Sequence, residues 1–238
     1  MWFLYVSLAL AALLFLAFIA VLLINRAQKR KYLRLVAART GQSYEDVARI
    51  CTDVLESVKE KIPSKKIKLD FAPVIFDSSP KLNADSTFPG MILLKQTWMD
   101  KIVQNDKVWS VALYQTVGHE LGHIHKEPRP LLFGPAKKQF VNWVRECRAD
   151  YYGIRFAQMS CEVTRTQALD AFRQKKEYAE SLNVPVKGGE MSHPDWAFRY
   201  RLLCDYPEFD AKVVREIARV LGYRDQKVIE KYSEGAAI

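Results

Sequence analysis

Residues 119–123 read His-Glu-Leu-Gly-His, and this stretch decides how the rest of the 238-residue chain is interpreted. Positions four apart in an α-helix lie one turn apart on the same face, so the imidazoles of His119 and His123 can reach one metal ion. Glu120 lies about 100° around the helix and can reach a water molecule at that ion instead. The stretch therefore predicts a zinc site with His119 and His123 as ligands and Glu120 as the catalytic base.

The residues around this stretch have the pattern of an amphipathic helix, as a shared metal site on one helix requires. The predicted helix starts near Asp106 and must end before Pro128, because proline lacks the amide hydrogen that continues a helix. Its apolar residues recur on one side, at Trp109, Leu113, Val117, Leu121 and Ile124.

A catalytic zinc ion takes three protein ligands and leaves one position for water. A histidine six residues after His123 would complete one known ligand pattern, but Arg129 occupies that position. His125 is too near and points to the other side of the helix. The next predicted helix offers Glu146 as the third ligand and, one turn later, Asp150, which can orient a ligand imidazole. The alternative is that Glu146 and Asp150 belong to a solvated helix face.

The N-terminal residues 1–24 contain no charged side chain and are almost wholly apolar. A helix of this length, at ~1.5 Å per residue, crosses a hydrocarbon core of ~30 Å. A cleaved signal peptide is the alternative, but it would start with basic residues and have a shorter apolar core. Arg26 and the basic cluster 29–34 follow directly, and such flanks stay on the cytoplasmic side. The sequence predicts a single-pass membrane protein whose body faces the cytoplasm.

The net charge of +9 raises the question of nucleic-acid binding. The densest basic cluster lies beside the predicted membrane helix, where it suits anionic lipid headgroups. Elsewhere basic and acidic residues alternate along helical stretches, and no nucleic-acid-binding signature occurs. The expected partners are a lipid bilayer and a protein or peptide substrate, and not nucleic acid. The scattered cysteines predict reduced thiols.

The rest of the chain predicts an α+β fold that is mostly helical and contains a small sheet. Strand character occurs at residues 67–76 and at 91–94, whereas the polar stretch 77–90 is predicted to be a loop. Helices are expected at about 25–39, 43–63, 98–103, 106–127, 136–159 and 164–182, and from 194 onward with breaks near 207 and 222. Three regions follow: a membrane anchor at 1–24, a juxtamembrane helical region at 25–65, and a body at 66–238.

Three motifs occur in order along the chain: H-E-x-x-H at 119–123, E-x-x-A-D at 146–150, and His193-Pro194 with Arg199 six residues after the histidine. In order and internal spacing they resemble the gluzincin metallopeptidases of the HtpX and CAAX-prenyl-protease type. The resemblance covers about residues 83–202. It implies a zincin-like fold for the body and a zinc-dependent endopeptidase activity.

The same resemblance extends to a stretch before the metal motif. Asn83-Ala84 with Pro89-Gly90 is similar to the segment that precedes the edge strand of that family. The resemblance implies that a peptide substrate adds as an extended strand along Met91–Leu94. It also implies that His193 donates to the developing oxyanion and that Arg199 orients the segment around His193.

Two other functional interpretations compete with hydrolysis. One is a membrane-tethered regulator that binds zinc without hydrolytic activity, and an intact Glu120 argues against it. The other is a membrane scaffold in which the H-E-x-x-H pattern is accidental, which zinc analysis would test.

Overall fold

The computed structural model describes residues 2–71, 82–87, 90–125, 134–182 and 193–234. Within these ranges, nine helices surround one three-stranded sheet, which confirms the predicted mostly helical α+β class. The strands are β1 (Lys68–Phe71), β2 (Ala84–Thr87) and β3 (Met91–Leu94). The helices are α1 (Trp2–Thr40), α2 (Tyr44–Glu60), α3 (Trp98–Gln104), α4 (Lys107–His125), α5 (Pro135–Cys161), α6 (Arg165–Ser181), α7 (Trp196–Asp205), α8 (Ala211–Leu221) and α9 (Gln226–Glu234).

Helix α1 joins the apolar N-terminal segment to the body without a break. It is the one helix of the described residues that is long and apolar enough to cross a membrane, and its apolar half is exposed. Its C-terminal part is buried at Leu33, Val36 and Ala37, which lie in the same core cluster as the side chains of the body. The predicted anchor and polar helix are therefore one element.

Helix α2 is amphipathic and begins at a capping serine. The Ser43 hydroxyl accepts a hydrogen bond from the backbone N–H of Asp46, which satisfies one of the free amides at the helix start. Val47, Leu55 and Val58 then recur on one face and enter the core shared with α1.

The sheet differs from the sequence prediction at two points. Residues 84–87 form strand β2, although the stretch 77–90 was expected to be a loop. Strand β3 is central, since it pairs in parallel with β1 and antiparallel with β2. The family-based expectation that Met91–Leu94 is an edge strand is therefore wrong, because both of its edges already hydrogen-bond to neighbouring strands. The predicted strand residues 74–76 lie outside the described residues.

Close contact between α4 and α5 dominates the helical body. A Cβ on Gly153 of α5 would lie 2.6 Å from the carbonyl oxygen of Gln115 on α4, and one on Gly118 would lie 2.6 Å from the Cβ of Phe156. Gly122 packs similarly against Ala149. Since larger residues at these positions would push the backbones apart, the small residues allow α4 and α5 to cross closely.

Candidate metal centre

The α4–α5 crossing brings three metal-binding side chains together. His119 and His123 project from α4 toward Glu146 on α5, and one ligand atom from each lies within 4.8 Å of the others. The two Nε2 atoms are 3.1 Å apart, and they lie 3.5 and 3.4 Å from the nearer carboxylate oxygens of Glu146. This cluster could hold a metal ion.

These separations fit a tetrahedral zinc site. Zinc binds imidazole nitrogen and carboxylate oxygen at ~2.0–2.2 Å, so tetrahedral geometry places two donors roughly 3.3–3.6 Å apart. The two imidazole nitrogens are 3.1 Å apart, and each lies close to a different oxygen of Glu146, His119 at 3.5 Å from Oε2 and His123 at 3.4 Å from Oε1. The donor set of two imidazoles and one carboxylate also matches catalytic zinc sites that keep a fourth position for water.

A buried ion pair stands behind His119. Its Nδ1 lies 3.0 Å from an Asp150 oxygen, which leaves Nε2 to face Glu146. Arg199 of α7 donates to both oxygens of Asp150, at 2.7 and 2.5 Å. Asp150 and Arg199 are almost fully buried, at 4 and 7% exposure. Their arrangement fixes the ring orientation and tautomer of His119, as the outer partners of metal ligands do.

The surroundings of the two histidines shift their pKa values in opposite directions. Burial disfavours the charged form of both rings, and the nearby His119 lowers the pKa of His123 further, to about 3. His123 is thus neutral and has a lone pair available for a metal. For His119 the hydrogen bonds to Asp150 and Glu146 outweigh burial and raise its pKa to about 9. A bound metal ion would take the place of that Nε2 proton.

Glu120 lies on the sheet side of α4. It is 7% exposed, and burial raises the pKa of its carboxyl group, an effect that His119 and a hydrogen bond from Ser86 of β2 partly offset. A raised pKa brings a carboxylate closer to the range in which it can both accept and release a proton. Strand β2 thereby forms the wall of the site next to Glu120.

His193 reaches the site from the residues just before α7. Its Nε2 lies 3.4 Å from a Glu146 oxygen, and at 41% its side chain is the most exposed of the site histidines described. Helix α7 begins at Trp196, with the Asp195 side chain capping it by accepting from the N–H of Phe198. The position of His193 is therefore set by the cap of the helix that also carries Arg199.

All seven site residues chosen from the sequence lie around this centre, whereas the side chain of His125 lies outside the described residues. Sequence reasoning missed three contributors. Ser86 lies in a stretch without a strand pattern, and the close approach at Gly153 depends on contact between two helices. The third is Lys175 of α6, a buried cation that donates a hydrogen bond to the hydroxyl of Thr116 at 2.8 Å. Thr116 lies on α4, one turn before Glu120. A basic residue between apolar positions of a helix was the available signal for Lys175.

Comparisons with known proteins found no relative of this chain. No family model matches the chain, and no curated protein or solved structure matches it significantly.

Proposed function

We propose that this chain is a membrane-anchored, zinc-dependent endopeptidase of the gluzincin class with a zincin-like body. The observation that carries the proposal is the convergence of His119, His123 and Glu146, whose ligand atoms lie within 4.8 Å of one another, with the Glu120 carboxyl group buried beside them. A structural zinc site takes all four ligands from the protein, whereas a catalytic site takes three and keeps a fourth position for water. Glu120 is not one of the three ligands, and a buried carboxyl group beside them suits a base that acts on such a water.

The chain's own residues supply the remaining chemistry. A zinc ion at the three ligands would provide Lewis acidity and an activated water at neutral pH. Glu120 accepts a proton from the attacking water and returns it to the departing amide nitrogen. His193 donates to the carbonyl oxygen as negative charge develops there. Asp150 holds His119 through Nδ1, and Arg199 keeps Asp150 ionised and in place.

We infer that the peptide substrate lies along β2 rather than along Met91–Leu94. Strand β2 is an outer strand of the described sheet, and its Ser86 contacts Glu120. An extended peptide that pairs with an outer strand gains main-chain hydrogen bonds and requires few side-chain pockets. Such binding suits an endopeptidase that accepts several sequences.

The proposed location is a membrane crossed once by α1, with the body in the cytoplasm. Support comes from the exposed apolar half of α1 and from the basic residues that follow it. The four cysteines are free thiols, as expected for a reducing compartment. A reporter fused after Ile238 that is active only outside the cytoplasm would reverse this orientation.

The proposal is tested by the substitution Glu120→Gln in the full-length protein. The amide has the same shape but cannot accept a proton at neutral pH, so hydrolysis of a protein substrate such as casein should be almost abolished. Zinc content, measured by mass spectrometry on the same preparation, should stay at one ion per chain. Undiminished turnover would remove Glu120 from the mechanism, and wild-type protein without zinc would contradict the proposal as a whole.

A further inference from the structure

The part of α1 beyond its apolar segment is basic on every side. Residues 25–40 contain six basic and no acidic side chains. Composition alone treats them as one cluster, but the structure divides five of them between two faces of the helix, while the sixth, Arg26, is exposed next to the apolar run. The inward face packs on the body, and the outward face points away from it.

The inward cations form ion pairs with the body. Lys29 pairs with Asp70 of β1 at 3.0 Å and lies over the ring of Phe71. Arg39 pairs with Asp100 of α3 at 2.6 Å. Their charges therefore serve to dock α1 onto the sheet and onto α3.

The outward cations make a separate surface. Arg30, Lys31 and Arg34 are exposed and form no ion pair within the described part of the chain. Arg34 lies over the ring of Tyr44, which leaves its charge uncompensated. Together with Ala27 and Leu35, these three side chains line a shallow recess of about 380 Å³ on one side of the helix. We call this surface the outward basic face.

The height of this face follows from helix geometry. With a rise of ~1.5 Å per residue, Arg30 lies ~9 Å and Arg34 ~15 Å beyond Ile24, the last residue of the apolar run. A headgroup layer extends about 5–7 Å beyond the hydrocarbon, and long basic side chains reach back toward it. The field of an anionic leaflet acts over a further ~8–10 Å at physiological salt. All three cations therefore lie within the field of an anionic headgroup layer, and Arg30 and Lys31 lie within a few ångströms of its outer limit.

We propose that the outward basic face, formed by Arg30, Lys31 and Arg34, is a binding surface for anionic phospholipid headgroups. The inference rests on α1 crossing the bilayer, and it does not depend on the peptidase activity. Charge complementarity and the direct continuity with the apolar segment favour a lipid over an acidic protein. The face selects anionic over zwitterionic lipid, while Lys29 and Arg39 remain engaged with the body.

The test uses the full-length protein in a neutral detergent with equal amounts of phosphatidylglycerol and phosphatidylcholine of the same acyl chains. Native mass spectrometry counts the lipids that each variant retains. Wild-type protein should prefer phosphatidylglycerol by about tenfold to hundredfold, since each basic residue near an anionic surface contributes on the order of a fivefold factor. The triple variant R30Q/K31Q/R34Q should lose this preference.

A matched control keeps the test specific. The variant R215Q/K227Q/K231Q removes three exposed cations from α8 and α9 and should retain the lipid preference. Zinc content and melting temperature confirm that both variants fold. The proposal is overturned if wild-type protein shows no preference, if the triple variant keeps it, or if alkaline carbonate extracts wild-type protein from membranes. Raising the salt concentration to 1 M should weaken the preference, because screening shortens to ~3 Å.

Discussion

The α4–α5 helix pair and the three-stranded sheet face each other across the metal centre, and they hold their residues in different ways. In the helix pair the backbones approach so closely that a Cβ on Gly153 would overlap the Gln115 carbonyl oxygen. The ligands then converge within a buried network that includes Asp150. The sheet consists of four-residue strands, and its described link to the site is the hydroxyl of Ser86 next to Glu120.

This difference separates two tasks. The candidate metal ligands are held by close contacts between two long helices, where a small displacement would spoil the arrangement that a metal ion requires. On the proposed function, the wall that faces the substrate is β2, a short outer strand whose place depends on pairing with β3. Changes in the helix pair should therefore disturb metal binding, whereas changes in the sheet should alter catalysis and leave the metal in place.

The largest effect is expected for Glu146→Ala. The substitution removes one ligand and leaves two imidazoles alone, so zinc affinity should fall by more than about hundredfold, the upper end for loss of an outer partner. Competition with a fluorescent chelator measures the affinity. Glu177→Ala on α6, at an exposed ion pair, is the control and should bind zinc normally. Wild-type affinity in the Glu146 variant would mean that another residue is the third ligand.

His193 lies in the segment before α7 and so belongs neither to the helix pair nor to the sheet. The substitution His193→Ala therefore tests whether a residue outside both regions affects catalysis without affecting the metal. Loss of one donor to a developing oxyanion typically lowers kcat by ~10²–10³-fold. KM and zinc content should change little, since three ligands remain. A purely structural role would instead lower the melting temperature and leave kcat near normal. Measuring kcat, zinc and melting temperature on one preparation distinguishes these outcomes.

The substitution Gly153→Ala changes the contact between α4 and α5 and leaves all three candidate ligands unchanged. The added Cβ would meet backbone at 2.6 Å, so the helices must separate, at a cost of about 1–3 kcal/mol in the free energy of unfolding. Zinc affinity should also fall, because the candidate ligands lie on the two helices that separate. Gly134→Ala, at the N-cap that precedes the same helix, is the control, since its Cβ would meet nothing within 4 Å. Equal stability of the two variants would show that the close crossing is not needed.

The smallest effect is expected for Ser86→Ala in the sheet. Loss of a hydrogen bond worth about 1 kcal/mol should lower kcat roughly fivefold through a less well held Glu120. Zinc affinity should equal that of the wild type, as it should for the control Ser110→Ala on the exposed side of α4. A Ser86 variant that loses zinc would show that the sheet and the helix pair do not act separately.

The sequence predicts the two regions with unequal success, for a physical reason. The bounds of α4 depend on neighbouring residues, and the predicted helix is confirmed. The spacing of His119 and His123 likewise depends on one helix. Strand β2 reads Ala-Asp-Ser-Thr, which lacks apolar alternation, and its pairing with β3 is a tertiary choice. The central position of β3 and the contact at Gly153 depend on residues far apart in sequence, so one sequence did not reveal them.

The unbroken course of α1 has a mechanical consequence. On the proposed topology its uncharged segment from Trp2 to Ile24 forms a rod roughly 34 Å long, which exceeds a hydrocarbon thickness of ~30 Å, and such a mismatch is relieved by tilting. Because Lys29 and Tyr32 fasten the same rod to the body, at Asp70 and Asp100, the body leans together with it. On this topology a thinner membrane would tilt α1 and the body together by a larger angle, so bilayer thickness would set the orientation of the candidate metal centre relative to the membrane plane.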